Sequence, residues 1–283
     1  MDERALATPL ERLAAARIGW EAIGTVLLRG YMVAAYLFLF TPILVVVVFS
    51  FNADRFLALP WRGFTWMWYE SAVRNPDLLL SLRNSVLVGT AVGATSLALG
   101  FPAAYALARG RGRWRDLYLV AVLSPLAVPW ILLGLGLLVF FSSVGIPKSL
   151  VTVWISHTVF AAPLAALVIR GRLQTIRLSY EEAAWDLGAS RSRALWEVVV
   201  PLAAPALASA FLMTFTLSFD EFIIAWFVSG FARTLPLRIW SMMQSGVDPS
   251  ISATGALVFL VSMTGSVAAY LLQRRKVETE GGA

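Results

Sequence analysis

Two adjacent acidic residues, Asp220 and Glu221, interrupt a long apolar stretch and are the first candidates for chemistry. An acidic side chain at the centre of a membrane helix is unfavourable by about 2.5–3.5 kcal/mol, so this pair is not expected to face lipid. One interpretation is that the acids line a translocation pathway, in which Asp220 attracts a cationic solute. The alternative is that both acids form ion pairs with arginines of this chain or of a partner chain.

Metal and nucleophile chemistry has little support. The chain has no cysteine and one histidine, His157. Because cysteine and histidine are the main ligands of zinc, we expect no metal site. Ser156 precedes His157, but a Ser-His-Asp site requires a convergence in space that no motif indicates, and a polar contact between helices is the simpler interpretation. The sequence also lacks the G-x-x-x-x-G-K-[ST] phosphate loop, so we expect neither a catalytic residue nor a cofactor in this chain.

The composition is that of an integral membrane protein. Of 283 residues, 59% are hydrophobic and 14% are charged, and the mean hydropathy is +0.74. Soluble domains contain about 25% charged residues. Six apolar runs are long enough to cross a bilayer as helices, which predicts an all-α membrane protein. The predicted spans are 31–51, 84–107, 117–141, 149–169, 203–229 and 251–272.

The distribution of Lys and Arg residues predicts the orientation of these spans in the membrane. With the N-terminus inside, 16 of the 23 Lys and Arg residues lie on the side of both termini, which predicts that both termini are cytoplasmic. The net charge of +6 therefore reflects membrane orientation, and no nucleic-acid partner is expected. The predicted organisation is an N-terminal tail (1–30), a six-helix domain (31–272) in contact with membrane lipid, and a C-terminal tail (273–283).

A charged segment, residues 179–201, separates the fourth and fifth apolar runs on the cytoplasmic side. Ser179 and Glu182 have the spacing of a capping box, which predicts a helix from Tyr180 that ends at Gly188. Ser190 could cap a second short helix, and Pro201 is expected to end it. Such a hairpin could enter a groove on another protein. The alternative is an ordinary loop on the membrane surface.

The hairpin resembles the EAA loop of ABC-importer permeases, whose pattern is E-A-A-x3-G-x9-I-x-L-P. The matching residues here are Glu182, Ala183, Ala184, Gly188, Val198 and Pro201, with valine in place of the family's isoleucine and leucine. The stretches SFNADRF, HTVFAAPLAALVIRGRL and SFDEFIIAWFVSG further resemble the shorter permease of spermidine/putrescine-type importers. That family usually has Asp-Asp where this chain has Asp220 and Glu221, which leaves the fine specificity open.

This resemblance implies a type I ABC-importer permease in the inner membrane of a bacterium. Two permease subunits would form the pathway, and a dimer of separate ATPase subunits would bind ATP and Mg and dock on the EAA loops. A periplasmic solute-binding protein would deliver the solute. By the resemblance, the six motif residues couple this chain to the ATPase. The second permease is either a second copy or a distinct homologue, and the resemblance favours the distinct homologue.

The sequence leaves open the identity of the solute and two other classes of protein. A polyamine is the preferred solute, and an opine, another amine or a phosphonate are the alternatives. A stand-alone secondary transporter or channel is disfavoured because the hairpin would have no partner and no inverted repeat is evident. A membrane-embedded enzyme is disfavoured because no nucleophile, base and metal-ligand motifs converge.

Overall fold

The computed structural model describes residues 9–54, 61–110, 112, 114–245, 250–260 and 263–264. Nearly all of these residues are helical, and one isolated β-bridge joins Asn52 and Phe64. The helices are α1 (Pro9–Phe49), α2 (Met67–Arg74), α3 (Pro76–Arg109), α4 (Trp114–Leu123), α5 (Trp130–Ser143), α6 (Leu150–Thr175), α7 (Ser179–Asp186), α8 (Arg191–Ala194), α9 (Val200–Asp220), α10 (Ile223–Val228), α11 (Leu235–Ser245) and α12 (Ser250–Leu260). The chain forms two compact units, one from residues 1–72 with 247–283 and one from residues 73–246.

The first unit is built on α1, whose segment Gly24–Phe49 is apolar and long enough to cross a membrane. Helix α1 begins at Pro9, so residues 9–30 of the predicted N-terminal tail are part of this helix. The cytoplasmic location of the tail stays a prediction. After α1 the chain turns back, and the Trp68 indole donates a hydrogen bond to the carbonyl of Asn52 at 2.8 Å. The rings of Phe51 and Phe64 stack 4.8 Å apart beside this turn.

The second unit packs α3, α6 and α9 against one another through small residues. A Cβ at Gly93 of α3 would lie 2.7 Å from Phe211 Cε2 of α9, and a Cβ at Gly100 would lie 3.0 Å from Ala165 Cβ of α6. The segment Gly89–Gly93, which has a small-xxx-small pattern, is therefore a contact face between helices. Two apolar clusters fill the spaces between the helices. One includes Val92, Phe141, Val153, Phe160 and Val228, and the other includes Ala104, Ile169, Leu173, Val199 and Ala203.

The third predicted span, 117–141, is wrong as a single helix. Helix α4 continues as a 3-10 turn, Ser124–Ala127, and α5 then leaves at an angle of 95°. Pro125 and Pro129 lie at this break and lack the N–H groups that a continuous helix would need. The described residues therefore contain four helices of spanning length and composition, or five candidate spans if the bent pair counts as one.

The fifth predicted span, 203–229, is wrong at both ends. Helix α8 runs through a π turn, Leu195–Val199, into α9, so Arg191–Asp220 is one 30-residue helical segment and Pro201 does not end a helix. The π turn shifts the hydrogen bonds by one residue, with the Val200 N–H on the Leu195 carbonyl, and proline is tolerated in the turn that follows. At the other end, α9 stops at Asp220 and α10 restarts at Ile223.

The sixth predicted span, 251–272, is described only in part. Helix α12 covers Ser250–Leu260, which is apolar but too short to cross a bilayer by itself. The rest of that span, apart from residues 263–264, lies outside the described residues, as do the C-terminal tail 273–283 and residues 1–8 of the N-terminal tail.

Candidate functional site

The hairpin 179–201 consists of the short helix α7 and the start of the Arg191–Asp220 segment, joined by a turn at Gly188, so its predicted second short helix is not a separate one. Gly188 has a φ of +87°, a backbone conformation that only glycine adopts at little cost. Its N–H donates to the carbonyl of Trp185 at 2.9 Å, and the Ala189 N–H donates to the carbonyl of Ala184 at 2.9 Å. This bond pair is the Schellman arrangement that closes a helix, which confirms Gly188 as the end of α7.

The two predicted N-caps of the hairpin have different outcomes. The Ser190 hydroxyl accepts a hydrogen bond from the Arg193 N–H at 3.2 Å, so Ser190 caps α8 as predicted. The capping box of Ser179 and Glu182 is wrong, because α7 begins at Ser179 itself and no side chain caps it. Backbone bonds to the carbonyl of Leu178 start the helix one residue early, which puts Ser179 inside the first turn.

The motif residues on α7 lie on its open side. Glu182, Ala183 and Gly188 are exposed, and Ala184 is half-buried. In the second half of the hairpin, Val198 is half-buried and Pro201 is exposed. A groove of about 690 Å³ borders α7 and α8, and it is lined by Tyr105, Arg109, Leu178, Glu182, Trp185, Arg191, Ser192 and Leu195. The hairpin therefore presents a slim helix and a cleft that another protein could contact.

The hairpin also contains a buried acid that the motif does not include. Glu181 is 1% exposed and points away from the open side of α7. Its carboxylate accepts a hydrogen bond from Arg109 Nε at 2.7 Å and from the Tyr105 hydroxyl at 2.6 Å. Sequence reasoning missed these three residues. The i,i+4 spacing of Tyr105 and Arg109 at the end of α3 was the available signal, but nothing in it pointed to Glu181.

The two candidate pathway acids have different surroundings. Glu221 is buried in the break between α9 and α10, where Oε1 accepts from the Ile224 N–H at 2.8 Å and Oε2 from the Ala225 N–H at 3.0 Å. Oε2 also lies 3.1 Å from His157 Nε2, while His157 Nδ1 lies 2.8 Å from the Ser218 hydroxyl. Among the described residues, the carboxylate of Glu221 therefore meets a histidine and the start of a helix, and an ion pair with an arginine of a partner chain stays a prediction. His157 makes the interhelical polar contact that the sequence suggests.

Asp220, one residue earlier, is exposed at the end of α9. Within the part of the chain that the structure describes, neither a hydrogen bond nor an ion pair joins its side chain to another residue. It lies on a largely apolar groove of about 480 Å³ lined by Trp130, Leu212, Met213, Thr216, Leu217, Asp220 and Glu221. The groove therefore carries one open carboxylate among apolar side chains, an arrangement that favours an amphipathic cation.

Metal binding has no structural support in the described residues. They contain no group of three or more His, Asp or Glu side chains that could hold a metal ion. His157 and Glu221 are instead used in contacts between helices.

Apolar helices of spanning length, with an exposed hairpin between two of them, indicate an integral membrane protein. Residues 96–278 match the family described as "Binding-protein-dependent transport system inner membrane component". The chain belongs to this family and is an inner-membrane permease subunit of an ABC importer.

Curated relatives align with nearly the whole chain. The spermidine/putrescine transport system permease protein PotC of Escherichia coli (strain K12) is 33% identical over 261 residues, which are 92% of this chain and 98% of PotC. The putrescine transport system permease protein PotI of the same organism is 33% identical over 274 residues, covering 94% of this chain and 95% of PotI. PotC of Haemophilus influenzae is 33% identical over 248 residues, 87% of this chain and 96% of the relative.

Solved structures share the fold at lower identity. A chain of a bacterial ABC transporter involved in the import of alginate has a TM-score of 0.66 at 19% identity, and covers 95% of this chain and 98% of its own. A chain of the alginate transporter in complex with a periplasmic protein has a TM-score of 0.69 at 14% identity, with coverages of 92% and 96%. These matches place the helices of this chain in an ABC-importer permease fold.

Proposed function

We propose that this chain is one of two homologous permease subunits of a polyamine importer. The observation that carries the proposal is 33% identity to PotC and PotI over more than nine-tenths of the chain. Both relatives are named for putrescine transport, and PotC also for spermidine. The exposed carboxylate of Asp220 on an apolar groove suits a cation with a hydrocarbon backbone.

The proposed assembly contains this permease, a distinct homologous permease, an ATPase dimer and a periplasmic solute-binding protein. ATP and Mg are bound by the ATPase subunits, which are separate chains, so this subunit is not itself an enzyme. Structural neighbours support partners of this kind, since one was solved with a periplasmic protein.

The hairpin 179–201 is the proposed contact with the ATPase. The motif residues are Glu182, Ala183, Ala184, Gly188, Val198 and Pro201. An exposed α7 with alanines on its open side allows close approach of a partner's backbone, and Gly188 ends it in a compact turn. Closure of the ATPase dimer around ATP would then move α7 and switch the bundle between outward and inward openings.

The proposed topology keeps six spans and cytoplasmic termini. The bent pair α4–α5 counts as the third span, and α12 begins the sixth. The excess of Lys and Arg on the side of the termini supports this orientation. It puts the hairpin in the cytoplasm, and α10 and α11 towards the periplasm.

Reconstitution tests the proposal directly. This chain would be purified with its partner permease and ATPase, placed in proteoliposomes with ATP on the hairpin side, and given the binding protein with radiolabelled spermidine or putrescine. ATP-dependent uptake of either polyamine is expected. Uptake of an opine or phosphonate instead would revise the solute, and uptake by this chain alone without an ATPase would overturn the assignment of the motor.

A further inference from the structure

One buried acid of α7 makes hydrogen bonds to the end of α3. Glu181 is the buried residue of α7, whereas Leu187 at the hairpin tip is 89% exposed. On the side of the 690 Å³ groove, the guanidinium of Arg191 in α8 lies over the Trp185 ring of α7, 5.8 Å from the ring centroid. The bonds made by the Glu181 carboxylate therefore link α7 directly to α3.

These bonds lead to the end of a long helix. Arg109 is the last residue of α3, a 34-residue helix, and Tyr105 lies one turn before it. Arg109 Nε donates to Glu181 Oε1 at 2.7 Å, and another guanidinium nitrogen donates to the carbonyl of Ile176 at 3.1 Å. One guanidinium thus ties the end of α3 to α7 and to the segment that connects α6 with α7.

Glu181, Arg109 and Tyr105 together connect α7 to α3, and we call this set of contacts the joint. Short charge-assisted hydrogen bonds are stronger and more directional than apolar contacts, and a planar guanidinium fixes the relative orientation of the groups it binds. We propose that Glu181, Arg109 and Tyr105 transmit the displacement of α7 to α3, and so determine how much transport each hydrolysed ATP produces. They are positioning residues that touch no solute, and the inference rests on the proposed docking of α7 on an ATPase.

The hairpin contains a second Arg–Glu ion pair, which does not connect different helices and can serve as a control. Arg193 and Glu197 are bonded at 3.0 Å, one helical turn apart, with side chains 66% and 60% exposed. Exposed pairs of this kind contribute little to stability, and both residues belong to the same helical segment. Glu197→Gln makes the same chemical change as Glu181→Gln in the same hairpin, without breaking a contact between segments.

The test compares Glu181→Gln with Glu197→Gln in the complete transporter in proteoliposomes. Three quantities are measured, which are the yield of assembled complex, ATP hydrolysis, and the number of polyamine molecules imported per ATP. For Glu181→Gln we expect assembly and hydrolysis near the wild-type values and at least a fivefold fall in imported polyamine per ATP. Glu197→Gln should keep the wild-type number of polyamine molecules imported per ATP, because it breaks no bond between α7 and α3.

Two results would overturn the joint. The first is an unchanged number of polyamine molecules imported per ATP in Glu181→Gln. The second is a loss of assembly in which the remaining complexes import the normal number per ATP. That second result would indicate that Glu181 has only a structural role. If Glu181→Gln does not accumulate, Tyr105→Phe removes one hydrogen bond and keeps the ion pair. It should lower import per ATP in the same direction by a smaller factor, and an unchanged ratio would also overturn the joint.

A charge exchange gives a further check on the same contact. Arg109→Gln alone should uncouple, whereas Arg109→Glu combined with Glu181→Arg should recover part of the ratio, because the ion pair reforms without the bond to Ile176. Absence of recovery would count against transmission through this pair. If the wild-type complex binds the ATPase but shows no ATP-dependent uptake of polyamine, the proposed function itself is overturned. The inference about Glu181 fails separately, when the wild-type complex imports polyamine and Glu181→Gln imports as much per ATP.

Discussion

His157 Nε2 lies 3.1 Å from Glu221 Oε2, and both side chains are buried where α9 gives way to α10. The same carboxylate accepts hydrogen bonds from the backbone N–H groups of Ile224 and Ala225, so it caps the start of α10 beside the imidazole of α6. An acid in this apolar bundle is therefore retained by a helix end and an imidazole. Its two hydrogen bonds satisfy backbone N–H groups that the break between α9 and α10 leaves without helical partners.

The first prediction concerns the stability of this break. Glu221→Gln replaces one accepting oxygen with an N–H₂ group that faces a backbone donor, which leaves buried polar groups unsatisfied. We expect the free energy of unfolding to fall by about 1–3 kcal/mol. The measurement is the apparent Tm of the purified complex in detergent. Asp220→Asn is the adjacent control and should change stability by less than about 0.5 kcal/mol because its side chain is exposed. Equal Tm values for both variants would contradict the capping role.

The second prediction concerns transport through the Asp220 groove. Asp220→Asn removes the negative charge that attracts a cation but keeps the side-chain size. We expect uptake of a polyamine to fall on the order of tenfold, equivalent to about 1.4 kcal/mol, with assembly and basal ATP hydrolysis retained. Asp220→Glu should keep most of the uptake. Thr216→Ala, on the same groove, is the neutral control, and full uptake by Asp220→Asn would favour a role in contacts with the partner permease.

The third prediction concerns the turn of the hairpin. Gly188→Ala places a Cβ on a residue with a φ of +87°, where an L-residue is disfavoured by about 1–2 kcal/mol. The added Cβ would meet nothing within 4 Å, so the effect is on the backbone alone. We expect weaker ATPase binding or fewer molecules imported per ATP. Gly171→Ala, also open to space but in α6, is the control. Identical coupling in both variants would show that α7 tolerates a different end.

The fourth prediction concerns the contact between α3 and α9. Gly93→Ala would place a Cβ 2.7 Å from Phe211 Cε2, so the ring or the helix must move. Overpacking of this kind costs about 1–3 kcal/mol and should lower the apparent Tm. Phe211→Leu in the same chain should restore part of the loss by making room. Gly136→Ala has open space at its Cβ and should leave the Tm unchanged.

The features that the sequence alone determined depend on local properties of the chain. Apolar content and the length of each run predict membrane helices, because backbone groups in lipid must be satisfied within the segment. The end of α7 at Gly188 follows from the conformational freedom of glycine, and the cap of α8 follows from the hydroxyl of Ser190. The EAA spacing is also local, and it was enough to identify the family that residues 96–278 match.

Only the tertiary structure decided which polar groups meet. Arg109 and Glu181 are 72 residues apart in sequence, and His157 and Ser218 are 61 residues apart, so no short pattern could pair them. The breaks at Pro129 and Glu221 could not be located from hydropathy, because a bent helix and a straight one have the same apolar content. Packing against helices distant in sequence decides where a helix bends and which polar groups its side chains meet. Glu181 is therefore buried against Arg109 and Tyr105, while its neighbour Glu182 remains exposed.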